Sequence, residues 1–350
     1  MGGRDLLPSN VLHIPMRAAL VLATVLLGAV LAAPAQARLV YVKQPASASP
    51  AVYTADDDGK APQRLGIGRS PAVSPDARWV AYVTVPSSSE DPEELVLVPV
   101  AGGARRIVTS AKSINDLRFS PNSAQVAAIV GDRRVRIYDI ASDRTIDTAR
   151  GFIRGYSFSP DGAQLAFGVA TGVAVGAPSD IYVVPLDRSV ERRRITTTGD
   201  ALNPVWGPQE VVYDRQRRRR GEPPAYNLWA TSPAGDQAPR RLTSLKIPSL
   251  VSGLVPLELS ADGRRLLAVF TGQDTSVGFT VNPLTGRTHA LSQDFETGLV
   301  GFDLSADGRT VLAHTGGPDP AASHDVVTVP YRGGEPTVLV DGGAFPDWSR

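Results

Sequence analysis

Short apolar runs separated by turn-forming residues cover the chain from Leu39 onward. Representative runs are Leu39-Val40-Tyr41-Val42, Ala51-Val52-Tyr53-Thr54, Leu165-Ala166-Phe167 and Asp180-Ile181-Tyr182-Val183-Val184. Their length and their content of β-branched and aromatic residues predict strands. Between them a turn recurs. Its clearest copies are Phe158-Ser159-Pro160-Asp161-Gly162, Val73-Ser74-Pro75-Asp76-Ala77 and Phe119-Ser120-Pro121-Asn122-Ser123; Leu259-Ser260-Ala261-Asp262-Gly263 and Leu304-Ser305-Ala306-Asp307-Gly308 keep the frame with Ala for Pro. Ser, then Pro with its φ preset, then Asp and Gly suit a type I turn between two strands.

A degraded copy, Pro204-Val205-Trp206-Gly207-Pro208-Gln209, fills the gap after the third motif, and the motif starts then fall at 74, 120, 159, 207, 260 and 305. A period of roughly 40–50 residues marks a propeller or a solenoid. Each period holds an inner strand, the turn and three further strands, as in Leu165-Ala166-Phe167, Asp180-Ile181-Tyr182-Val183-Val184 and Arg193-Arg194-Ile195-Thr196. That is one four-stranded blade. The chain enters the repeat at Leu39 without an inner strand, and Ala344-Phe345-Pro346-Asp347-Trp348-Ser349-Arg350 matches the missing piece. The expected fold is an all-β, seven-bladed β-propeller whose C-terminal strand completes the N-terminal blade and covers a sheet edge. Six blades are the alternative, because the fifth rests on the degraded motif.

The Ser-Pro-Asp-Gly turn, the Leu165-Ala166-Phe167 and Asp180-Ile181-Tyr182-Val183 strands and an Arg241-Leu242-Thr243 strand resemble the WD40-like (PD40) repeat of the TolB propeller and its relatives. The resemblance spans nearly all of residues 39–350. It implies an extracytoplasmic propeller that binds other molecules. Members carry an α/β domain ahead of the propeller, for which this sequence has no counterpart, and usually six blades, where seven are counted here. The same propeller also gates oligopeptidases, but no Gly-x-Ser-x-Gly elbow is present to supply their nucleophile.

Composition adds an address. Arg17 precedes an apolar run over residues 18–33, followed by Ala35-Gln36-Ala37, the small-x-small pattern that signal peptidase cleaves. The run is 16 residues, short of the roughly 20 that span a bilayer. Residues 1–37 are therefore expected to be a signal peptide and residues 38–350 a single propeller domain, exported to the periplasm, cell envelope or exterior. Removing residues 1–37 takes away Arg4, Arg17 and Asp5 and leaves 34 basic against 34 acidic residues, so charge gives no reason to expect nucleic acid or a membrane as partner. The absence of Cys excludes disulfides, thiolate metal sites and a lipidated N-terminus.

Candidate chemistry is sparse. His289, His314 and His324 are the histidines left after cleavage; they are expected at the surface or on strand edges, with no metal and no cofactor. His324 and Asp325 are strand neighbours that point to opposite faces, which excludes a triad; Asp325 aligns with Asp180 and Asn227 at a position suited to a structural hydrogen bond. Asp56-Asp57-Asp58-Gly59 lacks the ligand spacing of a calcium loop and is expected as a hairpin turn. Tyr82, Phe158, Phe167, Tyr182, Trp206, Trp229 and Trp348 recur at core positions. The unusual segment is Arg215-Gln216-Arg217-Arg218-Arg219-Arg220, expected in the loop between the second and third strands of blade 5. Arg69, Asn115, Asp116, Arg154 and Asn203, just upstream of inner strands, should share its face. Together they form the candidate binding face, a basic patch at the channel mouth for an acidic partner or anionic polymer; a solvated run balanced by Glu210, Asp214 and Glu222 is the other reading. The functional expectation is a monomeric, non-enzymatic scaffold with a protein or glycan partner, and the alternative is a propeller enzyme of lactonase or polysaccharide-lyase type.

Overall fold

The second and third strands of a blade bury both of their faces, one against the preceding blade and one against the next, while the outer strands are largely exposed. In blade 2, Val80, Tyr82, Val96 and Val98 pack on Val40, Val42 and Val52 of blade 1. The alternate residues Ala81, Val83, Leu95 and Leu97 pack on Ile114, Val126 and Ala128 of blade 3. Two-sided burial is why the strands read as continuous apolar runs rather than as strict alternation. Each fully buried Val or Leu contributes about 1.5–3 kcal/mol, so the inter-blade layers carry the stability of a ring that lacks disulfides.

The structure is a computed structural model that describes residues 37–44, 48–174, 176–187, 190–217, 225–245, 251–272, 276–292, 298–316 and 324–349. Residues 1–36 of the expected signal peptide lie outside the described residues, and no helix among the described residues is long and apolar enough to cross a membrane. Among the described residues 28 strands form seven four-stranded antiparallel blades. The innermost strands of blades 1 to 7 are Ala344–Trp348, Arg69–Val73, Ile114–Phe119, Phe152–Phe158, Ala201–Trp206, Val251–Leu259 and Val300–Leu304. Seven blades replace the six-blade alternative: the fifth is complete, with Arg240–Arg241 as its outer strand. A single parallel bridge, Tyr226 to Gly253, links it to the sixth.

The ring closes as expected. Leu39 pairs with Trp348 and Val40 with Asp347; the Arg38 amide donates to Ser349 Oγ at 2.8 Å, and the Ser349 amide donates to the Arg38 carbonyl at 2.9 Å.

The repeated turn explains its own residues. Ser74, Ser120, Ser159, Ser260 and Ser305 each donate Oγ–H to the Asp or Asn two residues on, at 2.5–2.7 Å. Each Oγ also accepts the amide five residues on, at 2.9–3.0 Å. The fourth position is left-handed in all five, with φ 56 at Ala77, 59 at Ser123, 71 at Gly162, 68 at Gly263 and 66 at Gly308, which is why Gly is favoured there.

Candidate functional site at the channel mouth

Every innermost strand carries a β-bulge among the described residues. Its pairing slips by one residue between Arg69 and Ala72, Asn115 and Arg118, Ile153 and Tyr156, Leu202 and Val205, Pro256 and Glu258, and Gly301 and Asp303, and opposite Val40 and Val42 in blade 1. In five blades the residue four before the motif start is left-handed: Ser70 (φ 50), Asp116 (50), Gly155 (73), Asn203 (45) and Phe345 (50). Asp, Asn and Gly tolerate this conformation; a bulky Phe is an outlier. The bulge also corrects the sequence reading. Arg69, Asn115, Asp116, Arg154 and Asn203 lie inside the innermost strands, not upstream of them. The extra residue shifts the side-chain alternation within the strand, so its first half is out of phase with its second.

The strands bring these residues to one end of the ring. Arg69 donates to Glu93 at 2.6 Å and to the Ile114 carbonyl at 3.2 Å, while Glu93 accepts the Ile114 amide at 2.7 Å, tying blade 2 to blade 3. Asn115 donates to Asp132 at 3.5 Å. Asp116 pairs with Arg118 at 2.9 Å, and its carbonyl accepts Tyr156 O–H at 2.6 Å. Arg154 donates to the Val173 carbonyl at 2.9 Å. A Cβ on Gly155 would sit 2.9 Å from Asn203 Cα, so the bulges of blades 4 and 5 touch. Asn203 donates to Asp214 at 2.9 Å. Asp214 is fully buried, and desolvation pushes its carboxyl up to about 7.

The arginine run is placed differently from the expectation. The second strand of blade 5, Val211–Arg217, extends through Arg215 and Arg217, so these two belong to the strand. Arg215 pairs with Asp200 at 2.7 Å and lies 4.5 Å over the Trp229 ring; Arg218, Arg219 and Arg220 fall outside the described residues. The guanidinium charges of Arg69 and Arg215 are thus matched by carboxylates.

The channel holds residues that sequence reasoning missed. Two places before the motif start stand Arg118, Ser157, Glu258, Asp303 and Asp347. Four of them accept the first amide of the turn-side end of the next blade: Ser157 from Trp206 at 3.1 Å, Glu258 from Leu304 at 2.9 Å, Asp303 from Trp348 at 3.5 Å and Asp347 from Val73 at 2.8 Å. Arg118 instead reaches from blade 3 to the Leu257 carbonyl of blade 6 at 3.5 Å. The signal was present in five of the seven blades as a polar residue two places before the motif start, where blades 2 and 5 have Ala72 and Val205.

His314 and His324 contradict the expectation of surface or edge histidines. They are 2% and 8% exposed, because Phe302 and Phe345 cover them with ring centroids 4.9 and 5.3 Å from His314. Desolvation lowers His314 to about 3. His289 is exposed on its outer strand, Thr288–Ala290. No group of three His, Asp or Glu suited to a metal occurs among the described residues. Asp325 accepts the Gly342 amide at 2.9 Å, Asp180 accepts Thr196 Oγ–H at 2.9 Å and Asn227 accepts Thr243 Oγ–H at 3.2 Å, the structural bonds the alignment predicted. Asp57 to Gly59 form a hairpin turn. A groove of 1010 Å³ opens away from the mouth, on the rim beside Thr109, Arg136 and Asp147, where Arg136 is already bound to Asp147 at 2.7 Å and to Thr109 at 2.8 Å.

No family model matches the chain, and no curated protein matches it. Solved structures do. The β-propeller domain of the Trilobed protease from Pyrococcus furiosus superposes with a TM-score of 0.65 at 12% identity, over 87% of this chain and 94% of that one. That propeller is described as having an open velcro topology, whereas here the last strand closes the first blade. TolB from Acinetobacter baumannii matches with a TM-score of 0.54 at 17% identity, over 88% and 81% of the two chains. An oligogalacturonate lyase from Vibrio parahaemolyticus matches with 0.57 at 11% identity, over 88% and 87%. At these identities the likeness establishes the propeller fold and leaves activity open, since one fold hosts many functions.

Proposed function

We propose that this chain is an exported, TolB-like propeller of the PD40 repeat type, with residues 1–37 as a signal peptide and residues 38–350 as one domain. It acts as a non-enzymatic binding scaffold in the cell envelope or extracellular space. Its contacts are made at the mouth by Arg69, Asn115, Asp116, Arg154, Asn203, Arg215 and residues 217–220, and its partner is a protein or a glycan rather than nucleic acid or membrane.

The observation that carries this reading is Arg118. Its guanidinium reaches across from blade 3 to the Leu257 carbonyl of blade 6, which supports contacts at the mouth rather than within the channel. Loops and strand ends on a rigid ring are where binding is built on such scaffolds. Asp214 favours a second reading, an enzyme of polysaccharide-lyase type, because a carboxyl held near 7 is matched to proton transfer at neutral pH. Its complete burial weighs against contact with a substrate.

In-cell crosslinking of the tagged chain, followed by mass spectrometry, tests the scaffold. The comparison variant replaces Arg217, Arg218, Arg219 and Arg220 by Ser and leaves Arg215 in its ion pair. The expected result is one recurrent protein or glycan lost in the variant; no recurrent partner in the wild type would overturn the reading.

A further inference from the structure

We propose that Nδ1 of His314, Nδ1 of His324 and the carbonyl oxygen of Thr315 form a binding site for a borderline transition-metal dication, Zn²⁺ or Cu²⁺. The site is independent of the mouth reading above. His314 ends the second strand of blade 7, Thr310–His314, and His324 lies just before the third, Val326–Pro330. Strand pairing of His314 with Val326 turns the two imidazoles toward each other.

The two Nδ1 atoms are 3.0 Å apart, and His324 Nδ1 is 2.6 Å from the Thr315 oxygen. Donors bound at about 2.0–2.1 Å lie roughly 2.9 Å apart in octahedral and 3.3 Å apart in tetrahedral shells, so the imidazole pair has the spacing of ligands on one ion, while the Thr315 oxygen, 2.6 Å from His324 Nδ1, has to draw back by about 0.3 Å to join them. The proton count points the same way. Both contacts share His324 Nδ1, which holds either one hydrogen or one lone pair. With a hydrogen, that hydrogen serves two acceptors at once; without one, its lone pair faces the carbonyl oxygen. A cation in the hydrogen's place takes all three lone pairs.

Imidazole nitrogen suits Zn²⁺ and Cu²⁺ better than it suits Ca²⁺ or Mg²⁺. The third donor is a backbone oxygen, so only two side chains take part. The outer cover is Phe345, 40% exposed, whose movement opens the path for the ion.

The test uses the tag-free chain, stripped with a chelator and titrated with Zn²⁺ or Cu²⁺ in a calorimeter. One equivalent should bind, and His314→Gln and His324→Gln should each weaken binding by at least about tenfold, with His289→Gln unchanged. Unaltered affinity in both variants, or no saturable binding below about 100 µM metal, would overturn the assignment. Because either variant can misfold, the Cu²⁺-loaded wild type is also read by electron paramagnetic resonance. Coupling to two imidazole nitrogens supports the site, and coupling to none sinks it.

Discussion

The Asp347 carboxylate, three residues from the C-terminus, accepts the backbone amide of Val73 in the adjacent blade at 2.8 Å. The same contact recurs from Ser157 to Trp206 and from Glu258 to Leu304, so a single repeat position ties each of these blades to its successor. Val73 is buried, and removing the acceptor strands its amide. Asp347→Ala should therefore lower stability by about 1–3 kcal/mol, while Asp347→Asn, which keeps an acceptor oxygen, should cost less. Urea unfolding midpoints for the two variants measure this, and equal midpoints for Ala and wild type would remove the latch from the account.

Deleting residues 344–350 goes further. It removes the innermost strand of blade 1 together with the pairing of Leu39 to Trp348 and Val40 to Asp347, exposing a strand edge rich in apolar residues. The truncated chain should self-associate and melt at a lower temperature. A monodisperse monomer by size-exclusion chromatography, with an unchanged melting point, would show that closure is dispensable.

The blades were legible because their physics is local. A Ser-Pro-Asp-Gly turn and a two-sided apolar strand announce themselves within a few residues, and repetition supplied the count. The Arg69 to Asn203 positions were legible as a set, because all sit at the same point of the repeat, but their placement upstream of the strands was wrong: a bulge leaves no sequence mark when its left-handed residue is Ser70 or Phe345 rather than Gly. The His314 and His324 pair was out of reach for another reason. One member ends a strand and the other lies just before the next, and only the cover given by Phe302 and by Phe345, from the far end of the chain, makes them a buried unit.

Two of the five motif turns hold a side chain where the other three have Gly. Ala77 and Ser123 are left-handed at φ 56 and 59, a conformation that costs L-residues about 1–2 kcal/mol. Ala77→Gly should raise stability by about 0.5–1 kcal/mol, after the entropy that Gly adds to the unfolded chain. Ser123→Gly should give no such gain, because Ser123 Oγ accepts the Asp76 amide at 3.0 Å and that bond is lost. Chemical denaturation of both variants separates the two effects; a gain in Ser123→Gly equal to that in Ala77→Gly would show the bond to be worth nothing.

Asp214 and His314 pull the stability in opposite directions as pH changes. Asp214 is raised from 3.8 to about 7 by burial. The native state then holds a proton that the unfolded chain has released, so this stabilisation is complete below pH 4 and is lost as pH rises through 7. His314 is lowered from 6.5 to about 3, so its contribution is complete above pH 6.5 and is lost as pH falls toward 3. Between pH 4 and 6.5 the two slopes oppose each other, and the metal-stripped wild type should show a shallow profile. Asp214→Asn keeps a neutral side chain beside Asn203 and removes one slope. Its stability relative to wild type should climb by up to roughly 4 kcal/mol between pH 4 and 7 and level off above that. Thermal unfolding across that range decides it: a difference curve that stays flat would mean that Asp214 ionises in the native protein as an ordinary carboxylate does.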